Sequence, residues 1–186
     1  MANQPIELTD YDPVWSDRFA EQRARLTDLL KPWLAEDIEH IGSTSVAGLR
    51  SKPVVDLLAP VQSLAAAQAA IPVLEWDGWL FWPDDPNRHY RLWFLRPNPT
   101  ARTHHLQIIQ HDQPDALALT SFRDALRNDP KLRDAYALLK DDLAQKHQTE
   151  RDAYSNAKTD FVASVLKSIG SVQPSRKPVQ PHRGDA

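Results

Sequence analysis

The side chains best placed to do chemistry early in the chain fall between His40 and Asp56. Gly42 precedes three consecutive hydroxyls, Ser43, Thr44 and Ser45. A glycine at such a point can take a positive φ and lets backbone N–H groups close on an anion with no side chain in the way. Lys52 adds a mobile positive charge, and Asp56 sits inside Val54-Val55-Asp56-Leu57-Leu58, which otherwise reads as a buried strand. A desolvated carboxylate is costly unless paired, so a cation, a metal ion or a set of donors should meet Asp56. The pattern predicts a phosphate-handling site, with Asp56 read as the end of a strand, where open α/β sheets collect ligands. The alternative is structural: the hydroxyls cap a helix and Asp56 bonds the backbone of the next loop. With a single lysine and separated glycines, the stretch is neither a Walker A loop nor a dinucleotide fingerprint.

A second group of polar residues lies on two later runs. Residues 88–96 alternate so that His89, Arg91 and Trp93 share one face, and residues 102–109 place Thr103, His105 and Gln107 together. If these polar faces align, Arg91, His105 and Gln107 share a surface. The structural alternative pairs an arginine with Asp56 and leaves His105 on a carbonyl.

The elements that must hold these residues are legible in outline. Asp12 and Pro13 mark a helix start, and Trp15, Phe19, Leu26, Leu29 and Leu30 recur at helical spacing through 13–30, as core anchors rather than a base-stacking platform. Residues 37–41 alternate as a half-buried strand with His40 facing away from Glu39 and Ile41, either toward a ligand or as a structural hydrogen-bonder. Ser63 caps a helix over 63–71 that Pro72 should bend or break; 75–82 reads as a turn and an aromatic strand, and 83–87 as a loop. From Asp115 the chain turns helical: Phe122, Ala125 and Leu126 mark one helix, Asp129-Pro130 start the next, and a last one follows a capping signal at Thr149 and Asp152. Arg123, Lys140 and Lys158 on these helices face either the cleft or solvent.

Composition narrows the class. With 186 residues, 41% hydrophobic and 25% charged, the chain is long and apolar enough for one globular domain with a real core. A net charge of −3 argues against a broadly basic nucleic-acid binder, and the absence of cysteine excludes disulfides and thiolate metal sites. There is no apolar run of membrane-spanning length and no signal-peptide pattern, so a cytoplasmic protein is expected. After Gly170 the composition shifts to Pro, Ser, Gln and basic residues; residues 1–169 are read as the domain and 170–186 as a disordered tail.

The motif His40-Ile41-Gly42-Ser43-Thr44-Ser45-Val46, with Gly48-Leu49, Lys52-Pro53 and Asp56, resembles the signature of the GrpB family, the UPF0157 proteins. Asp10 to Trp15, Arg102-Thr103-His104-His105-Leu106, Phe122 to Arg127 and Tyr136 to Leu143 resemble further family motifs in the right order, over about residues 6–169. The resemblance implies an α/β fold of the polymerase-β nucleotidyltransferase type, a mixed sheet flanked by helices with a C-terminal helical part. In that superfamily a Gly-Ser pair cradles a triphosphate and paired carboxylates on the next strand hold divalent metal. Gly42-Ser43 and Asp56 fit that spacing, but Asp56-Leu57-Leu58 lacks the second carboxylate. The later family His-x-His reads His105-Leu106-Gln107, and Ala47 replaces a usual proline.

On this reading the ligand is a nucleotide or another phosphorylated small molecule, with no membrane or nucleic-acid partner. Phosphates would rest on Gly42, Ser43, Thr44, Ser45, Lys52 and Arg91, and Mg²⁺ or Mn²⁺ on Asp56, His105 and Gln107, with Asp56 and His105 catalytic in a nucleotidyl transfer. Glu75, Asp84 and Asp85 are candidates for a substitute carboxylate. The second reading is a non-catalytic binding or regulatory module, like the family domain fused to dephospho-CoA kinase in some bacteria. A third is a scaffold using the aromatic residues at 76–82.

Overall fold

Asp12 begins the first helix as its sequence position predicts: its carboxylate accepts from the Val14 amide at 2.9 Å. Helix α1 (Val14–Leu30) then buries Trp15, Leu26 and Leu30 along one side. The structure is a computed structural model that describes residues 6–175. Its five strands, β1 (Glu39–Ile41), β2 (Val55–Val61), β3 (Leu80–Phe81), β4 (Arg91–Arg96) and β5 (His104–Gln110), form one mixed sheet in the order β1-β2-β5-β4-β3. The β2–β5 pair is parallel and the other pairs are antiparallel.

The alternation read from the sequence divides the two faces. Val55, Leu57, Ala59, Leu92, Phe94, Leu106 and Ile108 pack on one side with α1 and with α2 (Leu64–Ala67) and α3 (Ile71–Trp76). Residues one step along each strand point the other way, where Ile41, Leu58 and Ile109 pack with Ala116 of α4 (Pro114–Asn128). Helices α5 (Pro130–Lys146), α6 (Arg151–Ala157) and α7 (Thr159–Ser168) extend this second layer. The fold is thus the expected mixed α/β sheet flanked by helices.

Local signals hold at several ends. Ser63 accepts from the Ala66 amide at 3.3 Å, and Asp129 accepts from the Lys131 and Leu132 amides at 2.9 and 3.2 Å. Pro72 does not end the helical region: it sits in the first turn of α3, where a missing N–H costs no hydrogen bond. Helix therefore runs to Trp76, and the aromatic strand shrinks to Leu80 and Phe81. Glu150 rather than Thr149 precedes α6, without a side-chain cap, and the last helix is divided at Lys158. The first residues of the expected tail are docked, for the Ser175 amide and hydroxyl donate to Asp115 at 2.9 and 2.6 Å. Residues 1–5 and 176–186, parts of the expected domain and tail, lie outside the described residues.

Candidate functional site

Strand register brings the acid and the imidazole together. Asp56 pairs with His105 across β2 and β5, and both point to the face opposite the α1 core. The His105 Nδ1 lies 2.9 Å from Asp56 Oδ1. A carboxylate oxygen accepts, so Nδ1 carries the hydrogen and Nε2 is left as the acceptor. That Nε2 is buried without a partner, and burial lowers the imidazole pKa against the raising pull of Asp56, which keeps the ring neutral.

Asp56 is the second residue of β2 and His105 the second of β5, so the pair stands at the amino ends of the parallel strands. The expectation of a strand's carboxyl end is therefore reversed. The antiparallel β1 is what carries the hydroxyl loop to this edge: Ile41 pairs with Asp56, and Gly42 follows at φ 71°.

The hydroxyls of the loop divide by direction. Ser43 and Gly42 line the cleft above the sheet. Thr44 is 1% exposed; its hydroxyl donates to Val54 O at 3.2 Å and so receives His40 Nε2–H at 3.1 Å. The Ser45 hydroxyl donates to Gly42 O at 2.5 Å, and Arg127 donates twice to Ser45 O, at 2.8 and 3.0 Å. Thr44 and Ser45 therefore hold the turn in shape rather than face a ligand. His40 stacks on Phe19, 4.6 Å between centroids, away from the cleft; burial pushes its pKa down to about 4.

Arg91, His105 and Gln107 share the predicted surface, yet Arg91 is already engaged. Its guanidinium makes a two-pronged pair with Asp85 at 2.6 and 2.9 Å and donates to Gln107 Oε1 at 2.8 Å. Asp85 is 3% exposed, so this pair satisfies a buried carboxylate and pins the loop after β3 to β4. It also removes Asp85 as a substitute metal carboxylate and turns Gln107 Oε1 away from Asp56. Leu58, on the same face two residues after Asp56, is 1% exposed and occupies the place of a second acid. Among the described residues no three His, Asp or Glu side chains form a metal-holding group. The donor set does not fit a two-metal centre.

The cleft has a volume of about 900 Å³ and runs from the sheet face to α4–α7. At the helical end Lys52 and Lys158 lie 4.8 and 4.3 Å from the Tyr154 ring centroid, and Lys140 lies 5.1 Å from that of Tyr136. Lys140 is 2% exposed and donates to Arg50 O. Burial and the nearby Lys158 lower its pKa to about 7. Burial pushes the Tyr154 phenol up, so it remains a donor. At the sheet end Trp82, Trp93 and Arg102 complete the wall. Sequence reading put Trp93 on the Arg91 face and gave Trp82 only to a scaffold, without joining them to Arg102, because the segments that bring them together are apart in the chain; Tyr154, read as a core residue, is one, 1% exposed beside Ile6 and Leu143.

The family model described as GrpB protein matches residues 5–168. A UPF0157 protein of Pseudomonas aeruginosa is 39% identical over 165 residues, which cover 87% of this chain and 66% of that protein. A Halalkalibacterium halodurans UPF0157 protein is 32% identical over 165 residues, 89% of this chain and 83% of that one. The crystal structure of the conserved protein GrpB from Enterococcus faecalis superposes with a TM-score of 0.79 at 32% identity, covering 87% of this chain and 96% of that chain. Cid1, in complex with its short product ApU, reaches a TM-score of 0.51 at 17% identity, with 92% of this chain and 53% of that chain covered; this likeness concerns the fold alone.

Proposed function

The chain belongs to the GrpB family, and from that premise we propose that its cleft binds a nucleotide or another phosphate-bearing small molecule. The observation that carries the reading is the placement of Gly42-Ser43 beside the Asp56–His105 pair, with Lys52, Lys140 and Lys158 gathered at one end of the same cleft. Lysine ammonium groups and phenol donors suit phosphate oxygens, and a positive-φ glycine opens the backbone to an anion. Gly42, Ser43 and Lys52 remain the phosphate contacts of the sequence reading. Arg91 acts through the wall it braces, and Thr44 and Ser45 through the turn they hold.

Binding is favoured over metal-dependent nucleotidyl transfer because, among the described residues, no further acid joins Asp56 and His105 in a metal-holding group and Gln107 is held by Arg91. His105 and Asp56 then shape the floor, the imidazole keeping one carboxylate oxygen occupied.

The test is a thermal-shift and calorimetric screen of nucleoside triphosphates, with and without Mg²⁺, against wild type, Lys52→Ala and Asp56→Asn. The binding reading expects stabilisation without metal, weakened in Lys52→Ala and kept or strengthened in Asp56→Asn, where a negative charge near the phosphates is gone. A shift that requires Mg²⁺ and disappears in Asp56→Asn would return the transfer reading. No shift for any triphosphate would end the phosphate reading.

A further inference from the structure

Two of the tryptophans line the cleft rather than the core. Trp15 and Trp79 are each 2% exposed, whereas Trp82 and Trp93 are only partly buried and line the cleft. Trp93 is opposite Gln107 in the β4–β5 register, and its ring lies 5.3 Å from the His105 ring. Trp82, just after β3, meets Trp93 edge-on at 6.2 Å and 73°. The Arg102 guanidinium lies over both indoles, 5.5 Å from Trp93 and 6.0 Å from Trp82, while its Nε donates to Pro99 O at 3.0 Å.

This wall has a definite chemistry. Indole rings and a guanidinium plane are stacking surfaces for any flat ring, and they discriminate little between bases. The arginine makes the wall positive, which disfavours the quaternary ammonium ligands that bare aromatic cages take. Since β5 lies between β2 and β4, His105 separates Trp93 from Asp56, so a ring held here has its attached groups directed along the sheet face toward Gly42-Ser43. We infer that Trp82, Trp93 and Arg102 form a stacking slot for the base of a nucleotide whose phosphates lie toward Gly42, Ser43 and Lys52. The inference rests on the phosphate reading of the cleft and adds the class of ligand: a base-bearing phosphate rather than a sugar phosphate or a polyphosphate.

Calorimetric titration of the full chain with ATP, GTP, CTP, UTP and inorganic tripolyphosphate separates the two ideas. At least one nucleotide is expected to bind roughly ten-fold or more tightly than tripolyphosphate, the scale of one base stacked on an aromatic wall. Trp82→Leu and Arg102→Gln should each shrink that ratio. Trp82 lies outside the strands, and Arg102→Gln carries the test alone if Trp82→Leu melts early. Equal affinity for nucleotides and tripolyphosphate, or a ratio that survives both substitutions, overturns the slot and leaves phosphate binding standing. Binding of neither overturns the phosphate reading and the slot with it.

Discussion

A Cβ on Gly42 would overlap Oδ2 of Asp56 and stand 3.0 Å from the Asp56 Cβ. The loop rests directly on the carboxylate, so glycine is needed there for contact as well as for its φ of 71°. Gly42→Ala should destabilise the fold by more than the roughly 1–2 kcal/mol of a left-handed alanine alone. Urea unfolding checks it, with Asp56→Gly as the second arm of a double-mutant cycle. In that background the cost of Gly42→Ala should fall to the conformational share, and an unchanged cost would refute the contact.

Arg91→Met leaves Asp85 buried without its partner. Truncating one side of such a pair typically costs about 3–5 kcal/mol. Arg91→Met combined with Asp85→Asn should recover part of the loss, because the stranded charge is gone. Equilibrium unfolding of wild type and the two variants decides the point; a mild effect of Arg91→Met would mean that Asp85 is solvated.

Acid should weaken the protein through its buried histidines. Burial pushes His40 and His104 down to about 4 from an ordinary 6.5, and lowers His105 as well. The unfolded chain then binds more protons than the native one between those values, so stability falls as pH drops from about 6.5 to about 4, by at most roughly 3 kcal/mol each for His40 and His104. Urea midpoints across this range measure the slope, and His40→Gln should flatten it. A level profile would contradict the buried neutral rings.

Lys140 offers a readout of the ligand's charge. With a pKa of about 7 it is mostly neutral at pH 8, and a phosphate nearby would favour the ammonium form. Binding should therefore take up on the order of one proton at pH 8, seen as a calorimetric enthalpy that varies with the buffer's ionisation heat. The dependence should vanish in Lys140→Met; binding with no proton uptake in wild type would place the anion away from the lysine end.

How much of this was legible depends on how local each signal is. The Asp12, Ser63 and Asp129 caps involve neighbours two or three residues away, and the sequence displays both partners. Period-two alternation correctly put Arg91, His105 and Gln107 on one face. It carries no information about which carboxylate meets which cation, so Arg91 was assigned to a ligand when Asp85, six residues before it, takes it. The hydroxyls of Thr44 and Ser45 misled for a related reason: a polar loop looks alike whether its donors face a ligand or its own backbone. Asp56 was taken for the end of its strand, yet it is the second residue of β2, which runs on to Val61.

The pairing of β2 with β5 also sets when the cleft can come into being during folding. Asp56 and His105 are 49 residues apart, and the intervening chain must form α2, α3 and the β3–β4 pair while β4 aligns on β5. Closing so long a loop is entropically opposed until those local pieces are in place. The acid–imidazole floor is thus expected to be a late contact, and a chain stalled before β5 docks on β2 would lack the proposed ligand site. Binding of the proposed ligand would accordingly report on the completed sheet, and a bound nucleotide would act as a brake on unfolding at its most distant strand pair.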